Sequence, residues 1–451
     1  MDTQTTQNET DDLSLILATS TDEELQEFLR LLHPADIADL VEQVEEESRK
    51  RIFSLIPDRI AADVLPEIDD QVFDEVMESV PPDKLADFVE EMDTDDAADF
   101  LAELPRYQRR GILARIDSSD SKEIRRLMQY GEDTAGGIMQ TEMIAVLEDA
   151  TVAETIEEIR ERKEEVENVY FVFVVDSEKN LKGGLDVRDL LISDLDQRVS
   201  DIMETDIITT TPETDQEEVA ALILKYNMVS VPVVDKGGKL IGRIWFDDVM
   251  DVIEDEVDED FLLMAGAGEE ELDELSVYKS VKGRLPWLGI TWVGGIITAI
   301  IMGHYAETME NLIVLAAFIP IVMAMGGNVG TQSATIVVRG LATGRIDYNR
   351  ISKFFLGQVA VGVILGVFIG LATGAFVRIH HSAMGLAFII GVAMVAVMGF
   401  AAFIGTAMPA VFKRMGVDPA IATAPIISTF CDILGILIYL SLANLLMAWQ
   451  A

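Results

Sequence analysis

The sequence predicts a multidomain, mainly α-helical protein that ends in a membrane domain, and two observations support this. Of its 451 residues 49% are hydrophobic, yet 79 acids against 34 bases give a formal net charge of −45. These features occupy different parts of the chain: residues 285–451 hold five acids and seven bases, so residues 1–284 hold 74 acids and 27 bases, a net of −47. A highly acidic half thus precedes a near-neutral apolar half, and its charge excludes nucleic acid as a partner.

Residues 1–133 are predicted to form an acidic domain of stacked helices. Prolines recur at Pro34, Pro57, Pro82 and Pro105, a period of 23–25 residues, and apolar residues at helical spacing follow each of the first three. Proline suits the first turn of a helix. A repeat of this length is typical of solenoid-like helical domains.

Two copies of a β-α-β-β-α pattern follow, in residues 134–200 and 201–248. Each copy contains an apolar strand, "VYFVFVVD" in the first and "MVSVPVVD" in the second, followed by a glycine turn, another strand and an acidic helix start. Because the two copies agree in order and spacing, they resemble a tandem pair of cystathionine-β-synthase (CBS) modules.

The resemblance to CBS modules implies a sensory pair, which in some proteins binds adenine nucleotides such as ATP. Tyr170, Arg188 and Asp189 are the candidate nucleotide-binding residues in this chain. The alternative for Arg188 and Asp189 is a helix cap with a surface ion pair.

Residues 249–283 are predicted to form an acidic connecting helix. The stretch "DDVMDVIEDEVDED" (247–260) holds nine acids in fourteen residues, and no Lys or Arg occurs between Arg243 and Lys279. Like charges three or four residues apart each destabilise a helix by about 0.2–0.5 kcal/mol. A helix here therefore needs positive charge from elsewhere.

Residues 284–451 are predicted to form a transmembrane domain of five helices, because each apolar span is long enough to cross a bilayer. The spans are about 285–303, 312–338, 352–378, 384–411 and 420–447. Nine of the ten bases that flank them fall on one side, and Arg378 alone falls on the other. The positive-inside rule then predicts a cytoplasmic N-terminus and a C-terminus outside.

Asp432 is the only charged residue in the last span and lies near its centre. A charge at that depth costs about 2.5–3.5 kcal/mol on insertion scales, so it predicts function. The alternative is a structural hydrogen bond to a neighbouring helix. Two Asp432 side chains facing each other across a dimer axis would match a divalent ion and form a homodimeric pore.

The second span, "PIVMAMGGNVGTQSAT" (320–335), supplies the candidate complement to that carboxylate. Its candidate pore residues are Gly327, Asn328 and Thr335. Glycines are expected to let helices approach closely and to free carbonyls toward a water-filled path. Oxygen and amide groups alone suit a hard cation such as Mg2+ or Ca2+.

An acidic helical domain, a CBS pair, "GGNVGTQSAT", "GVDPA" (416–420) and the mid-span Asp432 thus follow one another. Together they resemble the MgtE family of magnesium channels and transporters over nearly the whole chain. The resemblance implies a homodimer in the cytoplasmic membrane that takes up Mg2+ through a selective pore. It also implies a gate that Mg2+ closes by bridging the acidic domains and an amphipathic plug helix.

Carried over residue by residue, the resemblance also assigns regulatory Mg2+ ligands. They are Asp63, Asp95, Asp99, Glu217, Asp248, Asp251, Glu256, Glu259, Asp260 and Asp418. Where the family can place an Asp after the tyrosine of the second module, this chain has Asn227, a neutral amide that weakens the site of Glu217. The alternative for these acids is a solvated surface with loosely held counterions.

Two other functions fit parts of the sequence. One is a CBS-regulated transporter of another solute that is coupled to H+ through Asp432. The other is a membrane-tethered nucleotide sensor without transport, which leaves Asp432 and the glycine-rich span unexplained. An enzyme is not expected, because the sequence has no phosphate-binding Gly-Lys motif and no evident pair of nucleophile and base.

Overall fold

The computed structural model describes residues 20–163, 165–166, 168–267, 277–306, 309, 313–343, 345–346, 351–381 and 384–450. The chain divides into two compact units, Met1–Asp255 and Glu256–Ala451. The predicted multidomain, mainly helical fold class is confirmed, with an N-terminal helical domain, a pair of α/β modules and a set of five long apolar helices.

The first unit begins with nine helices in its described part. They are α1 (Asp22–Leu29), α2 (Pro34–Gln43), α3 (Glu46–Leu55), α4 (Asp58–Val64), α5 (Asp70–Ser79), α6 (Pro82–Glu91), α7 (Thr94–Glu103), α8 (Arg106–Ile112) and α9 (Asp120–Leu127). The prolines mark alternate helices: Pro34 and Pro82 are the first residues of α2 and α6, and Pro57 and Pro105 precede α4 and α8. Each repeat therefore contains two helices rather than one.

Two α/β modules follow in the same unit. The first contains β1 (Ala145–Leu147), α10 (Val152–Glu161), β2 (Phe171–Val175), β3 (Leu181–Asp186) and α11 (Val187–Ile192). In its sheet β1 pairs parallel with β2, which pairs antiparallel with β3. The second contains α12 (Gln216–Tyr226) and the antiparallel pair β4 (Ser230–Val234) and β5 (Leu240–Trp245). A single parallel bridge between Thr210 and Val233 takes the place of a first strand.

An acidic helix, α13 (Phe246–Ala265), begins directly after β5. The boundary that we placed between residues 248 and 249 therefore falls inside a continuous helix. Of the predicted connecting segment, residues 249–265 continue α13 and residues 277–283 begin the next helix, whereas residues 268–276 lie outside the described residues.

The second unit contains five helices that are long and apolar enough to cross a membrane. They are α14 (Val277–His304), α15 (Ile313–Ala342), α16 (Ile351–His381), α17 (Met384–Arg414) and α18 (Ala424–Gln450). Their hydrophobic core is built mainly from α15, α17 and α18. The five predicted spans are thus confirmed as helices.

Glycine contacts set how closely the core helices of this unit approach. A Cβ added at Gly405 would lie 2.1 Å from the carbonyl oxygen of Gly330, so α17 and α15 touch through their backbones there. A Cβ at Gly330 would also lie 2.6 Å from the Cys431 sulfur of α18. The expectation that the glycines of α15 free carbonyls is wrong, because α15 is helical throughout.

We therefore expect Gly405→Ala to destabilise the membrane domain by about 3 kcal/mol, as overpacked cores do. The new methyl group meets backbone rather than a flexible side chain, so it forces α15 and α17 apart. The melting temperature of the detergent-solubilised protein measures the effect. Gly295→Ala on α14 is the matched control, because no atom lies within 4 Å of its added Cβ. An equal loss in both variants would contradict the packing role of Gly405.

Candidate functional site

Two helix starts in the first unit bring carboxylates together. Asp95 lies in the first turn of α7 and is 6% exposed, and Asp248 lies in the first turn of α13. Burial raises the pKa of Asp95 well above its usual range, and repulsion from Asp248 adds to the rise. Burial likewise raises the pKa of Asp248 to about 7, and repulsion from Asp247 adds to the rise. The Trp245 N–H donates a hydrogen bond of 3.2 Å to the Asp248 carboxylate, which acts in the opposite direction and lowers the pKa.

Arg243 is a buried cation among these acids, and it was not among our predicted site residues. It lies on β5 with 4% of its surface exposed, and Asp93, Asp95 and Asp248 all act on its charge. Its Nε donates a hydrogen bond of 3.0 Å to Gln140 Oε1. An arginine in the otherwise apolar strand "LIGRIW" is the sequence signal that could have identified it.

Glu142 completes the group from the loop before β1. Its carboxylate accepts a 2.9 Å hydrogen bond from the Thr94 hydroxyl at the start of α7. The sequence offered no signal for this contact, because 48 residues separate the two side chains. We name Asp95, Asp248, Asp93, Glu142 and Arg243 the α7–α13 cluster.

The other predicted ligands of the helical domain lie nearer the surface. Asp63 and Asp99 are both exposed, and both repel the neighbouring Asp96. Asp99 keeps an exposed surface, but the protein packed around its carboxyl group removes part of its water and raises its pKa to about 6, with a further contribution from the charge of Glu132. Partial desolvation also raises the pKa of the exposed Asp96, but Asp95 is buried and is therefore the more strongly desolvated of the two.

The predicted ligand Asp251 lies at the edge of the α7–α13 cluster, and the predicted ligand Glu217 lies away from it. Asp251 is exposed on α13, but partial desolvation of its carboxyl group raises its pKa, and Glu67 makes the largest electrostatic contribution to that rise. Glu217 is exposed in the first turn of α12, where its N–H donates to the Asp215 carboxylate at 2.9 Å. Asn227 adopts a left-handed conformation with φ of 52° at the other end of α12.

A second acidic group lies in the second unit, beside the ends of the long helices. Burial raises the pKa of Asp260 to about 6, and repulsion from Asp418 and Glu256 adds to the rise. Arg339 at the end of α15 and Lys413 at the end of α17 oppose it. Glu259 lies half-buried, one residue before Asp260.

Asp418 itself lies exposed in the loop before α18. Its Oδ1 accepts a hydrogen bond of 2.7 Å from the Ala420 N–H, which fixes the carboxylate at the start of a short 3-10 turn. The geometry thus brings three predicted residues together: Asp260, Glu256 and Asp418.

Among the described residues, no three His, Cys, Asp or Glu side chains are arranged as ligands to one metal ion. The donor atoms in both acidic groups are nevertheless carboxylate oxygens, which suit a hard cation such as Mg2+. A cation that bound here would have to draw the carboxylates closer together.

The predicted pore residues of α15 include an exposed polar face. Asn328, Gln332 and Thr335 are all exposed, and their spacing places them on one side of the helix. Gly327 lies next to this face, with no atom within 4 Å of a Cβ added there. Polar side chains on a membrane helix face protein or water rather than lipid.

Asp432 is half-buried on α18 at the depth of this face. Gly330 and Cys431 contact each other and so mark one depth on α15 and α18. Measured along their helices, Asn328 and Asp432 lie within about 3 Å of that depth, whereas Thr335 lies about 7.5 Å from it. In the described part of the chain no cation pairs with the Asp432 carboxylate and no group donates a hydrogen bond to it. The alternative of a structural hydrogen bond therefore finds no support there.

The three candidate nucleotide-binding residues lie near one another in the first module. The Val187 N–H donates to the Tyr170 carbonyl at 3.0 Å, which holds the start of α11 against Tyr170. Tyr170 is 57% exposed and its ring lies 5.5 Å from that of Trp245. Arg188 and Asp189 form the surface ion pair of the alternative interpretation, at 3.3 Å, but the N-cap residue of α11 is Asp186.

Comparison with known proteins covers nearly the whole chain. Family models match the MgtE intracellular N domain at residues 32–133, CBS domains at 135–195 and 199–255, and a divalent cation transporter domain, MgtE, at 319–442. The magnesium transporter MgtE of Thermus thermophilus is 36% identical over 94% of this chain and 95% of its own. This chain belongs to the MgtE family of magnesium transporters.

Two solved structures each resemble about half of this MgtE family member. The soluble part of a magnesium transporter is 30% identical, with a TM-score of 0.53 over 55% of this chain and 98% of that one. The cytosolic domain of the Mg2+ channel MgtE, solved in complex with ATP, is 36% identical, with a TM-score of 0.51 over 54% of this chain and 99% of that one. The predicted family is confirmed, and Mg2+ transport across a membrane is its activity.

We expect the α7–α13 cluster to lose stability as the pH rises in the absence of divalent ions. The folded pKa values of Asp95 and Asp248 are raised, so the folded chain retains protons that an unfolded chain releases above about pH 4. The stabilisation is complete below about pH 4 and is lost as the pH rises through about 7. Hydrogen exchange of the α7 amides in EDTA measures it.

Saturating Mg2+ should restore protection at high pH, because it replaces the lost protons. Asp248→Asn should flatten the pH dependence, whereas Asp36→Asn on the exposed face of α2 should leave it unchanged. Protection that rises with pH in EDTA would contradict this assignment.

Proposed function

We propose that this protein is a Mg2+-selective channel that mediates Mg2+ uptake across the cytoplasmic membrane. Two copies form the pore, and binding of Mg2+ to the acidic cytoplasmic domains closes it. The cytoplasmic N-terminus and the external C-terminus follow from the nine bases on one side of the spans. This proposal extends the family assignment to selectivity, gating, assembly and orientation.

The observation that carries the proposal is Asp432. It is a mid-span carboxylate with no cation or hydrogen-bond donor beside it in the described chain. Such a charge is costly in a bilayer unless a cation or water reaches it. A Mg2+ ion gives up its water ligands reluctantly, so two Asp432 carboxylates would hold it hydrated through its waters.

The polar face of α15 supports the same path. Asn328, Gln332 and Thr335 expose amide and hydroxyl oxygens that accept hydrogen bonds from the waters of a hydrated ion. Gly327 leaves space beside them for such an ion. A second copy of the chain would cover this face and close the path to lipid.

Electrostatics supports the proposed gate. The α7–α13 cluster and the Asp260 group each crowd carboxylates in partly buried positions. At low Mg2+ the acids repel one another, and at high Mg2+ the ions bridge them and the domains compact. In this scheme α13 and the segment to residue 283 act as the plug, with Glu256, Glu259, Asp260 and Asp418 as its ligands.

The same scheme leaves a place for ATP in the first module. The exposed Tyr170 ring would stack on adenine, and Arg188 and Asp189 would bind phosphate and ribose. The relative solved with ATP supports this assignment by its similarity to the same part of the chain.

We expect Asp432→Ala to reduce Mg2+ uptake into liposomes at least about tenfold, the effect of losing about 1.4 kcal/mol of ion stabilisation. Asp432→Asn should do the same, because it keeps the size of the side chain but removes the charge. Stopped-flow measurements with a Mg2+-sensitive dye inside the liposomes give the rates.

Crosslinking of the purified variants should show that the dimer still forms, which separates loss of the pore from loss of assembly. H+ flux recorded in parallel distinguishes the alternative of H+ coupling. Uptake that persists in Asp432→Ala would sink the pore assignment, and H+ flux coupled to another solute would favour that alternative.

We also expect the triple variant Asp248→Asn, Asp251→Asn, Glu259→Gln to conduct at Mg2+ levels that close the unaltered channel. The change removes three charges that Mg2+ would bridge, so compaction loses its driving force. Single-channel recording over a series of cytoplasmic Mg2+ concentrations measures the open probability.

The matched control removes three charges from α10, as Glu157→Gln, Glu158→Gln and Glu161→Gln; Glu157 and Glu161 are exposed and Glu158 is half-buried. It should close at the same Mg2+ level as the unaltered channel. If both triple variants shifted equally, general charge rather than these ligands would control the gate.

A further inference from the structure

A groove with a volume of about 770 Å³ runs along the surface of the membrane domain between α16 and α17. Its floor is the line where the two helices touch: a Cβ at Gly370 would lie 2.6 Å from the Gly391 carbonyl oxygen. Because the two helices contact each other through their backbones at this line, the side chains on either side of it form the walls of the groove. Leu371 and Phe388 line it and are 70% and 60% exposed.

One cation lies at the end of this apolar groove. Arg378, in the last turns of α16, lines the groove and is exposed. No carboxylate among the described residues forms an ion pair with it. The groove therefore has an apolar length and a positively charged end. It is complementary to an amphiphile with an apolar tail and an anionic head group.

The dimensions of the groove match one lipid leaflet. From Val367 to Arg378 the groove follows twelve residues of α16, a rise of about 16 Å, or roughly half of the 30 Å hydrocarbon core of a bilayer.

We propose that this groove binds one anionic phospholipid. Its phosphate lies on the Arg378 guanidinium, and one acyl chain lies along the glycine floor toward Val367. Charge complementarity selects the head group, because guanidinium binds phosphate through two parallel hydrogen bonds. The site is independent of the pore and of the acidic groups.

Photo-crosslinking of the full-length protein in nanodiscs tests the proposal. The probe is phosphatidylglycerol with a diazirine on the acyl chain, and the phosphatidylcholine analogue is the comparison lipid. We expect crosslinks from phosphatidylglycerol to concentrate on residues 367–378 and 384–395 and to be competed by unlabelled phosphatidylglycerol. Arg378→Gln should weaken this competition about tenfold, and Arg378→Lys should weaken it less.

A pair of variants on the same helix controls for shape. Ala375→Trp fills the groove and should abolish labelling there, whereas Ala372→Trp, which is exposed outside the groove, should not. Equal labelling by both lipids along all exposed helix faces would overturn the proposal, since it indicates annular lipid only. Absence of groove labelling would also overturn it and would indicate that a second copy of the chain covers this face.

Discussion

The packing of carboxylates against one another is the constraint on which the acidic first unit depends. Asp95 and Asp248 each lie in the first turn of a helix, where the helix dipole favours a negative charge. Each position is locally favourable, but together the two acids repel in a region from which water is largely excluded. Arg243 offsets part of this charge, and the remainder requires protons or external cations. The proposed control by Mg2+ rests on this excess of negative charge.

A different constraint acts on the membrane domain, because the carboxylate of Asp432 has to be held at a defined depth in the bilayer. The contact of Gly405 with Gly330, and of Gly330 with Cys431, locks α15, α17 and α18 together next to Asp432. Packing of small residues replaces the hydrophobic effect as the source of helix association in lipid. Asp432 can therefore remain unpaired without loss of the fold.

Within the second unit, the ends of the membrane helices lie beside the acidic group around Asp260. Arg339 and Lys413 lie in the last turns of two core helices, and their positive charges lower the pKa of Asp260 on the acidic helix α13. Asp260, Glu256 and Asp418 outnumber these bases, so this group retains an excess of negative charge. Bound cations at this position would change the electrostatic environment of the helices that carry Gly330 and Asp432.

Much of this architecture could be predicted from the sequence, because hydropathy, periodicity and charge are local properties. They determined the order of the domains, the proline-marked repeat, the five spans and the central depth of Asp432. Only the tertiary structure decided that Asp95 is buried while Asp63 and Asp99 are exposed, and that Arg243 lies among the acids. It also showed that Gly330 of α15 packs against α17 and α18, whereas Gly327 faces open space. The physical reason is that these features depend on contacts between distant segments, such as Gln140 with Arg243, which no local pattern encodes.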